Sequence, residues 1–389
     1  MSEIGEGSGI DQTAVVEAAA TQAATQETAV KLRLSVIVPA RNEAASLGEC
    51  LHSLVAQSEA GFALGVEWEL IVVDDDSTDG TRQIAEEIAR ETNAASEGVG
   101  VVVIEAPALD LSERGGFTGK TNACWAGVQQ AGGAWLLFTD ADTIHQPGDL
   151  ARALHEAEKY GAAMLSYSPR QIVSGFWQRA LMPLVYSELA SAYPPKLVSD
   201  AASRVAAANG QFLLVEREAY FAVGGHRGIS QEILEDVALA RKFKRAKYEI
   251  RFRYAPDALS TRMYRTLPEM IEGWTKNLAL LFPNSLALAA WRALDLLLYI
   301  GLPLLALGLP MVAVGVPTSR VWLAAGLIGL LWLRTLGRFY ARVAKSNFAA
   351  LDVSLSILGV PLFCWLLVRS FLRHRLTRTV AWKGRSYRV

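Results

Sequence analysis

Cysteine is scarce. The 389 residues hold three, Cys50, Cys124 and Cys364. They are widely separated, with no Cys-x-x-Cys pair and no histidine at ligand spacing, which argues against a disulfide framework and against a structural zinc site. A reduced compartment accords with this. Net charge is also nearly absent, at −1, so no global field favours nucleic acid or an acidic partner. Residues 1–30 have no Lys or Arg but carry Glu3, Glu6, Asp11, Glu17 and Glu27. They also have little bulky apolar surface to offset the entropy of ordering, so 1–32 is expected to be a disordered tail. This start shows neither the basic opening nor the apolar core of a signal peptide. The other end lacks acids: residues 369–389 hold seven Lys and Arg, and 373–389 is expected to be a basic tail.

Long apolar runs are present, and they crowd toward that end. Leu294 to Val316 reads "LDLLLYIGLPLLALGLPMVAVGV", a full-length span by the criterion of about 20 residues. "VWLAAGLIGLLWL" follows from Val321 and "ALDVSLSILGVPLFCWLLV" from Ala350. Three such stretches predict a transmembrane region over 293–372. The connection carrying Arg338, Arg342 and Lys345 is basic, as is the tail, and both belong on the cytoplasmic side. Three full crossings cannot satisfy both together with Arg292. One segment is therefore expected to be re-entrant or interfacial, and the last, interrupted by Gly359 and Pro361, is the candidate.

Ahead of that region the pattern alternates. "LSVIV" (34–38), "WELIVV" (68–73), "VVVIEA" (101–106) and "AWLLF" (134–138) are short apolar runs suited to buried strands, separated by segments of helical spacing. Such alternation predicts an α/β fold with a mostly parallel, Rossmann-like sheet. Residues 33–160 would form a nucleotide-binding half and 161–265 an acceptor-side half. "SGFWQRALMPLVYSELASAY" (174–193) is expected to lie apolar face down in a membrane interface. Helices over 266–292 would lead the chain into the bilayer.

Acids stand where strands end: Asp74, Asp75 and Asp76 after the second strand, Asp140 and Asp142 in "LLFTDADT", and Glu235 with Asp236 in "QEILEDVALA". A parallel sheet gathers such ends at one edge. Several carboxylates there, with few Lys or Arg to compensate, would favour a divalent cation. Oxygen ligands suit Mg²⁺ or Mn²⁺, usually completed by substrate phosphates.

"LSVIVPARNEAASL", "IVVDDDSTDGT", "GKTNACWAG", "FTDADT", the glycines Gly224 and Gly225, and "LEDVALA" together resemble, over about residues 33–280, the GT-A glycosyltransferases of family 2. "TRMYRTLPEMIEGWTKN" and "AWKGRSY" resemble the membrane-bound bacterial type that glycosylates carotenoid acids, with hopanoid-associated and ceramide-glucosylating relatives more distant. The resemblance implies a nucleotide-sugar donor, typically UDP-linked, in a pocket lined by Pro39, Ala40, Arg41 and Glu43. It implies that Asp75 holds the base or ribose, although Asp76 stands where the family usually has glycine. Lys120 would face the nucleotide, and Asp142 would ligate the metal, with Asp140 nearer the ribose or a metal-bound water.

An alcohol acceptor needs a base on the face opposite the departing diphosphate, which gives inversion. Asp236 is the matching acid. Glu235 stays an alternative, because the carotenoid-type relatives resemble this chain there and a carboxylate acceptor needs no strong base. Trp274 and Lys276 stand where processive synthases carry Gln-x-x-Arg-Trp. That motif is absent, so no long polymer is expected, and Trp274 would anchor the interface. His226 would reach the acceptor or serve its turn. The expectation is an enzyme moving one hexose, glucose foremost, to a membrane lipid such as a carotenoid or other isoprenoid. Its catalytic domain would lie on the cytoplasmic side of the inner membrane. An exopolysaccharide or polyprenyl-phosphate transferase and a non-catalytic membrane scaffold are the alternatives.

Overall fold

A computed structural model describes residues 32–57, 59–95, 99–109, 117–313, 315–377 and 379–388. The expected N-terminal tail lies outside these residues but for its last position. The chain opens with β1 (Leu34–Ala40), α1 (Leu47–Val55), β2 (Trp68–Asp74), α2 (Thr81–Ala94), β3 (Val101–Glu105), α3 (Gly119–Gln130) and β4 (Trp135–Phe138). Next come β5 (Thr143–His145), α4 (Asp149–Tyr160), β6 (Met164–Ser168), β7 (Arg170–Gln171), α5 (Phe176–Ala192), α6 (Pro195–Ser199), β8 (Leu213–Glu216) and α7 (Arg217–Ala222). Then follow α8 (Glu235–Arg245), β9 (Ile250–Tyr254), β10 (Leu259–Thr261) and α9 (Leu267–Leu281). Three long helices, α10 (Ser285–Val312), α11 (Thr318–Val343) and α12 (Ala350–Leu372), precede a closing hairpin, β11 (Thr379–Trp382) and β12 (Arg385–Arg388).

The main sheet has the order β3-β2-β1-β4-β8-β6-β9. All its neighbours are parallel except β8, which runs antiparallel to β4 and β6. The two expected halves are therefore one sheet. The period of two along β1 sorts its side chains between layers. Val36 and Val38 join Leu51, Leu54 and Leu154 on one face, while Ile37 joins Ala123, Val128 and Phe243 on the other. With both faces covered, β1 is apolar but for Ser35, whose hydroxyl donates to Glu69 at 2.6 Å, and each buried Val or Ile contributes about 1.5–3 kcal/mol.

A third apolar cluster joins α5 and α9 to the long helices. Here the sequence expectation for 174–193 needs correction. Leu181, Leu184 and Val185 on α5 are fully covered by protein, chiefly α12, and do not face lipid. Gly359 allows this approach, since a Cβ there would run into the Ala180 carbonyl group. Small residues at such a crossing bring helix backbones together. Three helices are long and apolar enough to cross a membrane, but unequally covered: 6% and 11% of the most apolar windows of α10 and α11 are buried, against 44% for the helix beginning at Ala350. Asp352 pairs with Arg179 near one end of α12, and Ser370 Oγ accepts from the Ala279 N–H near the other, so α5 and α9 hold the two ends.

Candidate active site

The site forms where β1, β2 and β4 end. This is the switch point at which the sheet order departs from β1 in two directions, the usual ligand crevice of open α/β sheets. Asp75 follows β2, and its N–H donates to the Ala40 carbonyl at 2.8 Å, tying the first two strand ends together. Asp76 adopts φ 56°, the left-handed conformation that the glycine expected there would take freely and that costs a non-glycine residue about 1–2 kcal/mol.

Buried polar groups hold the Asp140–Ala141–Asp142 turn from beneath. Thr139 Oγ1 donates to the Gln211 carbonyl at 2.8 Å and meets His145 Nε2 at 3.0 Å, while His145 Nδ1 meets Asp149 at 2.7 Å. Thr261 Oγ1 donates to the Asp142 carbonyl at 3.2 Å. Glu235 and Asp236 begin α8, where the positive end of the helix dipole favours anions. Asp236 accepts from the Gly210 N–H at 2.9 Å and the Val237 N–H at 2.7 Å.

Lys120, in the first turn of α3, joins these acids: its ammonium lies 2.7 Å from Asp140 and 2.6 Å from Glu235. Gly210 makes room, because a Cβ there would stand 2.8 Å from that ammonium. Pro39, Ala40, Arg41, Glu43, Asp75, Lys120, Asp140, Asp142, Glu235, Asp236 and Lys276 all line one cavity of about 510 Å³. The acids from three distant stretches of chain thus share one space.

Charge in that space is tuned by burial. Desolvation, then Asp140 and Glu43, push Asp142 up to about 7, with Lys383 pulling the other way. Desolvation and then Glu235 push Asp236 up to about 7, against Lys120 and two backbone donors. Burial also raises Asp75, although Arg385 and Arg41 oppose it. It works against the Lys120 ammonium, but Asp140 and Glu235 more than compensate and hold it well above its ordinary value. Burial pulls Lys276 down to about 8.

Two expected positions lie elsewhere. Trp274 is 2% exposed and packs between Tyr186 and Tyr264, so it is a core residue and no interfacial anchor. His226 is 1% exposed, bonded through Nδ1 to the Tyr220 hydroxyl at 2.8 Å and stacked edge-on to Phe138. Burial lowers it to about 3, so it stays neutral inside the core and does not reach the cavity.

The expected shortage of compensating cations is also corrected. Much of the supply comes from the segment expected to be a basic tail, which folds back as the β11–β12 hairpin. Lys383 pairs with Glu43, and its ammonium donates to the Arg41 carbonyl at 3.1 Å. Arg385 lies 2.5 Å from Asp75. The turn is legible: Lys383 and Gly384 have φ 47° and 78°, the two left-handed central positions of a tight hairpin. No group of three or more His, Cys, Asp or Glu placed to hold a metal occurs among the described residues. Asp142 Oδ1, however, is buried without a hydrogen-bond partner.

The chain is similar to 4,4'-diaponeurosporenoate glycosyltransferase of Staphylococcus aureus strain MRSA252, 28% identical over 254 residues that span 63% of this chain and 60% of that one. The protein of strain USA300 matches to the same extent. Among solved structures, the mannosyltransferase PcManGT from Pyrobaculum calidifontis, in complex with GDP-Man and Mn2+, aligns over 90% of this chain and 89% of its own with TM-score 0.47 and 17% identity. S. aureus TarS 1-349 in complex with UDP-GlcNAc aligns over 92% and 97% with TM-score 0.40 and 14% identity. Residues 35–238, just over half of the chain, match the family described as Glycosyl transferase family 2. The chain belongs to glycosyl transferase family 2.

Proposed function

We propose that this protein is an inverting glycosyltransferase that moves one hexose from a nucleotide-sugar donor, UDP-linked, to a lipid acceptor of the carotenoid or isoprenoid type. One observation carries the proposal: Asp75, Asp140, Asp142 and Asp236 line a single cavity, in a chain that also has three helices apolar enough for a bilayer. The donor's nucleoside would lie over Pro39–Arg41 and Asp75. Its sugar would point toward Asp236.

In the transfer, an acceptor hydroxyl attacks the anomeric carbon as the bond from that carbon to the diphosphate oxygen breaks. The hydroxyl proton passes to Asp236, and the nucleoside diphosphate departs. Asp236 suits this task better than Glu235. It sits near 7, the poise of a general base, whereas Glu235 is held by the Lys120 ammonium. Glu235 would then position Lys120 against Asp140. The orphaned Asp142 oxygen and the oxygen-only surroundings fit Mg²⁺ or Mn²⁺, held by Asp142 with Asp140 beside it. Such an ion supplies charge stabilisation to the departing diphosphate.

The apolar helices bring a lipid acceptor to the cavity, with the catalytic domain on the cytoplasmic side of the cell membrane, where nucleotide sugars are made. Purified protein in lipid nanodiscs, given UDP-glucose, Mn²⁺ and an isoprenoid lipid extract, should yield a lipid heavier by one hexose in mass spectrometry. Absence of both transfer and nucleotide binding, with UDP- and GDP-sugars alike, would favour the scaffold.

A further inference from the structure

The C-terminal hairpin occupies the place the proposed donor needs. Arg385 sits on Asp75 with both side chains nearly buried, its Nη1 2.5 Å from Oδ2 and its Nη2 3.4 Å from the Asp75 carbonyl. Lys383 binds Glu43, its carbonyl accepts from Arg41 Nε at 3.4 Å, and its ammonium is near enough to Asp142 to pull on that carboxyl. Two cations separated by one glycine thus neutralise Glu43 and Asp75 at the nucleoside end, with Arg385 Nη2 also 3.3 Å from Asp76, and reach toward the acid turn at the phosphate end.

A nucleoside entering this pocket would offer neutral N–H and O–H donors to Asp75, which cannot use them while Arg385 covers it. The same nucleoside brings a diphosphate, the preferred partner of a guanidinium and a near ammonium. The hairpin is attached for a shift of this kind. It follows α12 through one wide turn, Arg373–Thr377, built on i→i+5 bonds, a form that often marks functional positions in helices, while β11 rests against α9 and His374 Nε2 of the turn meets the Lys276 carbonyl at 2.9 Å. Its tip is a two-residue turn.

Resting on the proposed donor chemistry, we infer that the β11–β12 hairpin is an exchange latch. Lys383 and Arg385 pair with Glu43 and Asp75 when the pocket holds no donor, and transfer to the diphosphate when a nucleoside diphosphate binds. The hairpin is then a part of the donor site and also the gate that a ligand without phosphates cannot open.

The test compares UDP and uridine by calorimetry with the full chain in nanodiscs, with Mn²⁺ and with EDTA, using the parent and Lys383→Ala/Arg385→Ala. The latch predicts that the double variant binds UDP at least tenfold more weakly while binding uridine as well as or better than the parent. Charge-preserving Arg385→Lys should recover part of the UDP affinity. Equal or tighter UDP binding by the double variant would reduce the hairpin to a plug and overturn the latch alone. A parent that binds no nucleoside diphosphate, UDP or GDP, would overturn the latch together with the proposed donor. Parallel loss of uridine and UDP binding in a variant with parental unfolding temperature would also overturn it, since a phosphate clamp must separate the two ligands.

Discussion

Two clusters of charge among the described residues invite comparison, one in the cavity and one at the root of the long helices. In the second, Glu188 of α5 meets Arg292 at 3.1 Å and Arg342 at 3.8 Å, while Asp295 meets Arg342 at 3.4 Å and also pairs with Arg292. Two acids face two bases from three helices. Burial raises Glu188, and the two guanidinium groups pull it back. The cavity is less settled. Lys120 bridges Asp140 and Glu235, but Asp142 keeps an orphaned oxygen, and Asp142 and Asp236 both rise to about 7. The helix-root cluster, or clasp, matches two acids with two bases, although Arg292 Nε and Arg342 Nε also lack hydrogen-bond partners, whereas the cavity holds two acids that burial keeps poised near neutrality. Unsettled charge of the second kind is where function is to be sought.

That contrast breaks most sharply at the cavity. Asp236→Asn should lower turnover by about 10²–10⁴-fold, the usual worth of a general base. Its parent should gain activity as pH rises through about 7, because the base must be ionised and burial with Glu235 places its titration there. Stability moves the other way. The folded state holds this proton more tightly than the unfolded chain, so parental stability falls as pH climbs from the ordinary carboxylate range to about 7. Asp236→Asn should therefore unfold at a higher temperature than the parent at pH 8. A parent whose rate is flat across this window would remove Asp236 as the base.

Asp142→Ala should cost about 10²–10³-fold in metal-stimulated turnover, the scale of losing electrostatic stabilisation of a leaving group, with an unchanged circular dichroism spectrum. Unaltered Mn²⁺ stimulation would detach Asp142 from the metal. The clasp should answer in stability instead. Arg292→Ala leaves buried Glu188 and half-buried Asp295 to Arg342 alone and should destabilise by about 1–3 kcal/mol, seen as a lower unfolding temperature with donor affinity intact. The pair Glu188→Leu/Arg292→Met should recover much of that loss. If Arg292→Ala weakened UDP binding at equal folded fraction, the two clusters would not be separate.

Gly359→Ala should cost about 1–3 kcal/mol as overpacking against the Ala180 carbonyl, read as a lowered unfolding temperature. His226→Phe should be the mildest. It removes the ring partner of the Tyr220 hydroxyl, which still accepts from the backbone N–H of residue 226, for about 0.5–1.5 kcal/mol, without changing the KM for the donor. A raised KM would bring His226 back into the site.

Much of this was visible in the chain before any coordinates. Continuous apolar strands ending in acids predicted the sheet and its functional edge, because β1, β2 and β4 must end together if they are parallel neighbours. What escaped were contacts set by tertiary packing. Lys383 meets Glu43 across 340 residues, a distance at which local patterns say nothing. Gly210 carried no motif, and its need arises only from the Lys120 ammonium beside it. Trp274 has the composition of a membrane-edge residue. Whether such a ring meets lipid or Tyr186 depends on where α12 lies, and that is decided by Gly359.

That close crossing has one more consequence. With α12 held to α5 at backbone distance and at its two ends by α5 and α9, the helices and the segments that carry the cavity are tied together. Where those helices rest in lipid, the stand-off between pocket and membrane becomes a fixed height. Under the proposed function, lipid acceptors would then be sorted as if by a ruler, according to how far their reactive oxygen protrudes above the hydrocarbon.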